Sequence, residues 1–262
     1  MSIDSLLMRW TPAYLLALAR CGGVVAFGPI FGSRTLPPPL RAGLAGILAI
    51  VLAPAVRMAD SQLPSDVLGL AATLLGELAI GGVLGFAVRF TFAGISVAGE
   101  VAATQMGVGL PAVLDPNTMT QVSTVNQFLD QVAILTFLAV GGHHTVLAAL
   151  AQSLTLVPPL SVGYNGRVME FLLGMFGSAL TLALRIAAPV GAAMLASMVT
   201  LGLLNRLAPQ VNVFMVTFTL TVGIGLLVLL FALPMMGAVM ISAFRELPTL
   251  LPALLGRMRH GL

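Results

Sequence analysis

Charged side chains inside apolar segments are the residues of this sequence most suited to chemistry. Three arginines and three acids each interrupt a long hydrophobic run: Arg20, Glu77, Arg89, Glu100, Asp130 and Arg185. An unpaired charge at the centre of a membrane helix costs at least about 2.5–3.5 kcal/mol. Because the two signs are equal in number, we expect a buried network of ion pairs, formed between helices or with partner subunits, with Arg185 or Arg89 as the partner of Asp130 within this chain. A proton or ion relay, or a site nearer a membrane interface, is the alternative.

A polar stripe surrounds one of these acids. It consists of two pairs at i, i+4 spacing on one predicted helix: Asn126 with Asp130, and Gln127 with Gln131. Residues four apart lie on the same side of a helix. In an apolar helix such side chains either form hydrogen bonds to a neighbouring helix or line a water-filled passage. Asn126 is therefore added to the predicted polar network.

A second candidate site is the segment from Gln105 to Asn117. Its two glycines and two prolines oppose a regular helix, although most of its side chains are apolar. Backbone without hydrogen-bond partners cannot face lipid, so the segment is expected to be buried in protein or to line a cavity. It is then either a buried connection or a gate. As a movable apolar seal, it would use these residues: Met106, Gly107, Val108, Gly109, Leu110, Pro111 and Val113.

Signatures of catalysis and of metal binding are missing. All twelve basic residues are Arg, so the sequence has no lysine for a P-loop or a Schiff base. The single Cys21 allows no intramolecular disulfide. His143 and His144 are adjacent, and we expect their rings to point apart rather than share a metal. The arginines form no basic stripe for nucleic acid. The prediction is a non-enzymatic protein without cofactor or metal.

The composition excludes a soluble domain. Of the 262 residues, 58% are hydrophobic and only 8% are charged, against about 25% charged in soluble proteins. The apolar runs exceed the length of strands, and the alternation typical of a membrane barrel is absent. We therefore predict an all-α fold, a polytopic helical membrane protein with kinked and broken helices, formed as a single domain over residues 1–262.

The predicted apolar segments differ greatly in length. They cover residues 10–32, 40–58, 67–100, 122–140, 147–158, 169–204 and 211–233. A helix over 67–100 would be about 50 Å long, against a hydrocarbon core of about 30 Å, so it is expected to be tilted, split or extended beyond the bilayer. The piece 147–158 is expected to be re-entrant or interfacial, and Pro189 is expected to kink its helix.

Small residues and terminal charges add two expectations. Gly28 with Gly32, and Gly81 with Gly85, have the GxxxG spacing that allows two helices to approach closely. The basic tail from about 235 to 262 has three arginines and one acid. The positive-inside rule therefore places it in the cytoplasm.

Three motifs in register resemble one family. They are Gln105–Gly109 with Asp115-Pro116-Asn117 and Asn126-Gln127-Phe128; Ala26–Gly32 with Pro37–Pro39; and Gly202–Phe214. Together these resemble the FliR family of flagellar biosynthetic proteins, the R subunit of the flagellar type III export gate and its SctT-like counterparts. The resemblance covers essentially the whole chain, and Pro111 is a departure from it. The motif positions are Asp115, Pro116, Asn205, Pro209, Gln210 and Asn212.

The resemblance implies a specific role. Members of this family form part of an export pore with P and Q subunits in the bacterial inner membrane, within the flagellar basal body. Residues 105–117 would then be the plug that helps to close the pore. Further implied partners are the B-type switch and A-type subunits and unfolded export substrates. The injectisome counterpart shares the fold, and a secondary transporter is an alternative, although a transporter should show two related halves that this sequence lacks.

Overall fold

The computed structural model describes residues 3–29, 37–56, 66–108, 123–159, 166–207 and 213–259. The described residues are almost entirely helical, and none of them lies in a strand. The helices are α1 (Ile3–Phe27), α2 (Pro38–Leu52), α3 (Val67–Gln105), α4 (Thr124–Ala139), α5 (Gly142–Leu156), α6 (Gly166–Leu207) and α7 (Val213–Arg259). The predicted all-α class is confirmed.

Several of these helices can cross a membrane. Within the described residues, five helices have the length and apolar composition of a span, and a broken pair brings the number to six at most. The pair is α4 and α5, which meet at an angle of 64°. Gly141 lies at the break with φ +77, a left-handed conformation that glycine adopts at little cost. The predicted polytopic helical architecture with a broken helix is confirmed.

The long apolar segments are continuous helices. Helix α3 has 39 residues, about 58 Å, and is not split. Helix α6 has 42 residues and includes Pro189. Helix α7 has 47 residues and extends from the predicted span 211–233 through most of the predicted basic tail. It continues past Pro234 because apolar side chains at helical spacing, such as Met236, Met240 and Phe244, are buried beyond that residue.

The chain divides into two compact units. The first contains Met1–Phe90, Gly141–Phe176 and Arg245–Leu262; the second contains Thr91–Val140 and Gly177–Phe244. Helices α3, α6 and α7 each contribute to both. A single domain is predicted from the sequence. Because segments of the two units alternate along the chain, no boundary between them is visible in the sequence.

In the first unit, glycines bring α1 and α3 into close contact. A Cβ atom added at Gly81 would overlap the carbonyl oxygen of Arg20, and one at Gly85 would lie 2.9 Å from the backbone nitrogen of Gly28. Phe27 and Phe86 stack beside this contact, with their ring centroids 4.6 Å apart. The predicted role of Gly81 and Gly85 in close helix packing is confirmed, and Gly32 lies outside the described residues.

In the second unit, an aromatic cluster joins three helices. The rings of Phe92, Phe137 and Phe244, from α3, α4 and α7, lie with centroids 5.1–5.3 Å apart. Helix α6 approaches α3 closely, because a Cβ atom at Gly94 would lie 2.6 Å from the carbonyl oxygen of Ala179. These contacts fix the four helices that position the candidate site.

Candidate functional site

The first part of the candidate site is the C-terminal end of α3. Gly107 has φ 74, and the backbone N–H of Val108 donates to the carbonyl of Ala103 at 3.1 Å. A left-handed glycine with a hydrogen bond that spans five residues back is a Schellman cap. The helix therefore ends at this point because Gly107 can adopt a conformation that other residues rarely adopt.

Met106 is held in a notch on α7. Its side chain is fully buried, and its Cγ and Cε atoms would lie 2.5 Å and 2.9 Å from a Cβ atom added at Gly225. The thioether occupies the space that a side chain at position 225 would fill. Met106 was predicted from the sequence, but Gly225 was not. The only sign of Gly225 in the sequence is a glycine within a predicted apolar helix.

Most of the predicted plug and family-motif residues are outside the described part of the chain. These are Gly109, Leu110, Pro111, Val113, Asp115, Pro116, Pro209, Gln210 and Asn212. Asn205 lies within α6. Of the predicted plug residues, the structure therefore describes Met106, Gly107 and Val108.

Polar side chains of α3 and α4 form a second part of the site. The Ser96 hydroxyl donates to Asn126 Oδ1 at 3.3 Å and to Asp130 Oδ2 at 3.5 Å. Asn126 Nδ2 donates to Glu100 Oε2 at 3.4 Å. Asn126 lies directly over Gly99, where a Cβ atom would come within 2.8 Å of its Oδ1 atom. Asn126 and Asp130 of the predicted polar stripe therefore form hydrogen bonds between α4 and α3.

A buried ion pair in the first unit is a separate candidate site. Arg20 on α1 and Glu77 on α3 are both fully buried, with Arg20 Nε and Nη2 each 2.6 Å from Glu77 Oε2. Arg20 Nη1 also donates to the carbonyls of Ser153 at 2.7 Å and Val157 at 3.0 Å. Ser153 lies in the last turn of α5, and its carbonyl also accepts from the backbone N–H of Val157 at 3.0 Å. Val157 directly follows α5, where helices lack internal donors for their carbonyls. One guanidinium group thus joins three helices.

The structure corrects the expectation of one buried charged network. Arg20 and Glu77 belong to the first unit, whereas Glu100, Asn126 and Asp130 belong to the second. Arg89 and Arg185 are exposed. Within the described residues of the second unit, Asp130 forms no ion pair with Arg185, because Arg185 lies on the face of α6 opposite its buried residues.

The two adjacent histidines also differ from expectation. The ring centroids of His143 and His144 lie 4.1 Å apart, so the rings are neighbours instead of pointing apart. They occupy the first turn of α5, directly after the bend at Gly141. Among the described residues, no group of three or more His, Cys, Asp or Glu side chains could hold a metal ion.

Comparison with known proteins gives a consistent result. Residues 11–247 match the model of bacterial export proteins, family 1. The flagellar biosynthetic protein FliR of Escherichia coli (strain K12) is 28% identical over 253 residues, which cover 96% of this chain and 95% of that protein. FliR of Aquifex aeolicus (strain VF5) is 31% identical over 218 residues, or 83% and 84% of the two chains. FliR of Bacillus subtilis (strain 168) is 27% identical over 237 residues, or 89% and 90%. The chain therefore belongs to family 1 of the bacterial export proteins, the family of flagellar biosynthetic protein FliR.

Proposed function

We propose that this chain is a non-enzymatic subunit of the flagellar type III protein export gate, where it forms part of the pore with P- and Q-type subunits. The observation that carries the proposal is the match to the export family and to FliR proteins over nearly the whole chain. This family comprises flagellar export proteins and is not a known enzyme class. The five apolar helices agree with a location in a membrane.

The exposed surface supports assembly with other subunits. Large apolar side chains are exposed along α6 and α7, including Leu184 at 70% and Phe231 at 80%. Patches of this size on one chain indicate contact with protein or lipid. We infer that P- and Q-type subunits cover part of them in the inner membrane, within the basal body. B-type switch and A-type subunits are further proposed partners, and unfolded flagellar proteins are the proposed cargo.

The C-terminal end of the chain is proposed to be cytoplasmic. Arg245 and Arg257 outnumber Glu246 there, and basic residues favour the cytoplasmic side. This end is part of a packed helix, since the Arg257 guanidinium lies 5.0 Å from the centre of the Phe171 ring. A reporter fused after Leu262 that is active only in the periplasm should remain inactive. An active periplasmic reporter would contradict this orientation.

The segment from Met106 to Leu114 is proposed to be a movable plug. Gly107 releases the chain from α3, and Met106 fits a notch that contains no bulky side chain. Methionine is suited to a reversible apolar contact because its side chain is flexible and polarizable. An apolar constriction can also block ions by excluding water, so no tight steric fit is required. An unfolded polypeptide would displace the segment without any covalent step.

A short deletion tests this proposal. Removing Gly107–Ala112 should leave the gate assembled but permeable to ions and small molecules, with slower growth when it is expressed. Deleting the equally long segment Met58–Leu63 is the matched control and should leave the gate closed. Conductance or dye uptake measures the leak, and co-purification with P- and Q-type subunits measures assembly. An assembled and ion-tight Gly107–Ala112 deletion would show that the segment is only a structural connection.

Assembly itself requires a separate test. The chain should co-purify with P- and Q-type subunits as one stable particle and should aggregate or misassemble when it is expressed alone. The physical reason is that its exposed apolar helices exceed the length of a bilayer span. A monodisperse, fully helical monomer that does not co-purify with co-expressed P- and Q-type subunits would contradict the proposed function.

A further inference from the structure

One face of α6 is exposed and apolar but contains a charge. Between Gly177 and Leu207, the buried side chains include Ala183, Ile186, Val190 and Met194. The opposite side exposes Leu184 at 70%, Leu195 at 60% and Val199 at 66%. At 3.6 residues per turn, Arg185 lies within this exposed apolar face. In the described residues of its unit, Arg185 forms no ion pair.

The same place on the helix has a second polar group. Pro189 lies inside α6 and has no N–H group, so the carbonyl of Arg185 loses the donor that a regular helix would supply four residues later. A positive side chain and a carbonyl without its helical donor thus come from the same residue. This combination is suited to a partner that offers a carboxylate and a hydrogen-bond donor.

Lipid alone does not suit this face. Arg185 lies 17 residues from one end of the apolar segment Val168–Leu203, about 25 Å along the helix. Its side chain is too short to reach water at either end. A bilayer surface placed level with Arg185 would instead leave half of the exposed leucines in water. Both arrangements are costly, because charge and unpaired backbone are disfavoured in hydrocarbon and large apolar patches are disfavoured in water.

We propose that this face, defined by Leu184, Arg185, Ala188, Leu195 and Val199, binds an apolar helix of another gate subunit, and that this helix places a carboxylate against Arg185. The inference rests on the proposed function and adds the chemistry of the contact. Charge complementarity selects the occupant, because an ion pair within an apolar interface removes the cost of the isolated arginine. Small neighbouring residues such as Ala188 and Gly191 allow the partner helix to approach closely.

The test uses the full chain co-expressed with P- and Q-type subunits. Leu184 is replaced by the photo-crosslinking residue p-benzoyl-phenylalanine, and the crosslinked product is identified by mass spectrometry. The same preparation is repeated with Arg185→Lys, which retains the charge, and with Arg185→Glu, which reverses it. Arg245→Glu is the matched control, since it reverses an exposed arginine outside the α6 face.

The expected result is a crosslink from position 184 to an apolar helix of another subunit, near an Asp or Glu. Arg185→Glu should lower both this crosslink and the co-purified partner by about tenfold or more. Arg185→Lys should retain most of both, and Arg245→Glu should leave both within about twofold of the unchanged protein. Changing the partner's Asp or Glu to Arg should restore co-purification of that partner with the Arg185→Glu chain.

Several results would overturn the inference. These are a crosslink from position 184 only to lipid, to a second copy or within the same chain, and equal recovery of partner with Arg185→Glu. If Arg185→Glu fails to accumulate, the crosslink in the chain with Arg185 still decides between these occupants. Absence of any co-purified P- or Q-type subunit with the unaltered chain would instead contradict the proposed function.

Discussion

Replacing Arg20 by methionine should strongly destabilise the first unit. Methionine has a similar length but neither charge nor donors, so the change isolates the polar contacts of the guanidinium group. It leaves the Glu77 carboxylate fully buried without its cation, and it removes the donor to the Ser153 and Val157 carbonyls. Removing one partner of a buried ion pair typically costs about 3–5 kcal/mol.

A double replacement separates the ion pair from the helix cap. In Arg20→Met with Glu77→Leu, no buried charge is left unpaired, so much of that loss should be recovered. The Val157 carbonyl still lacks the donor that Arg20 supplies, at about 0.5–1.5 kcal/mol, whereas the Ser153 carbonyl keeps the backbone N–H of Val157 at 3.0 Å. The expected free energy of unfolding is therefore highest for the unaltered chain, about 0.5–1.5 kcal/mol lower for the double variant, and lowest for Arg20→Met.

Thermal unfolding in detergent of the chain co-purified with P- and Q-type subunits can measure this order. A fluorescent C-terminal fusion, followed by size-exclusion chromatography after heating, gives the midpoint for each variant. A loss of 3–5 kcal/mol corresponds to roughly 6–20 °C for a chain of this size. Arg245→Met, at an exposed arginine on α7 in the first unit, is the matched control and should lower the midpoint by only a few degrees. If the double variant is as unstable as the sum of its single changes, the ion pair does not act as a unit.

Three further predictions use glycines whose surroundings the structure defines, each measured by the same thermal assay. Gly81→Val should cost at least about 2 kcal/mol, because its Cβ would overlap the carbonyl of Arg20, whereas Gly22→Val has no atom within 4 Å and should cost much less. Equal losses at positions 81 and 22 would contradict the close helix contact. Gly225→Val should lower the unfolding midpoint because the new side chain expels Met106 from the notch, and adding Met106→Ala should recover part of that loss. Gly223→Val is the control, because no atom lies within 4 Å of its Cβ position. No recovery in the double variant would show that Met106 does not occupy the notch. Gly141→Ala should cost about 1–2 kcal/mol, because other residues are strained at its φ of +77. Gly177→Ala, within α6 and with no atom near its Cβ position, should be neutral or slightly stabilising. A neutral Gly141→Ala would refute the strained bend.

The fold class followed from the sequence because composition and the length of apolar runs decide it. Hydropathy also located α3 and the start of α7 correctly. It failed at the end of α7, where prolines suggest a break at residue 234 but buried side chains continue the helix to Arg259. Long-range packing decided that case, and a single sequence does not show which prolines are tolerated.

The candidate site was only partly predictable for a similar reason. The apolar segment with Met106 and Gly107 was visible, since glycine and proline in an apolar run are unusual. The notch at Gly225 was not, because it depends on a contact between α3 and α7. Charges inside apolar segments were also visible, but their pairing depends on distance. Arg20 forms an ion pair with Glu77 on another helix, whereas Asp130 accepts a hydrogen bond from Ser96.

The position of each arginine distinguishes folding from assembly. The guanidinium of Arg20 is fully buried and meets a carboxylate and two carbonyls of its own chain, so its loss should act on stability. Arg185 is exposed within an apolar helix, so changing it should leave the packing within its own unit intact. The cost of an isolated charge applies to Arg185 only after lipid or another subunit excludes water. The same residue type therefore stabilises the chain in one place and selects a partner in the other, and variants at the two sites should separate in assays of thermal stability and of co-purification.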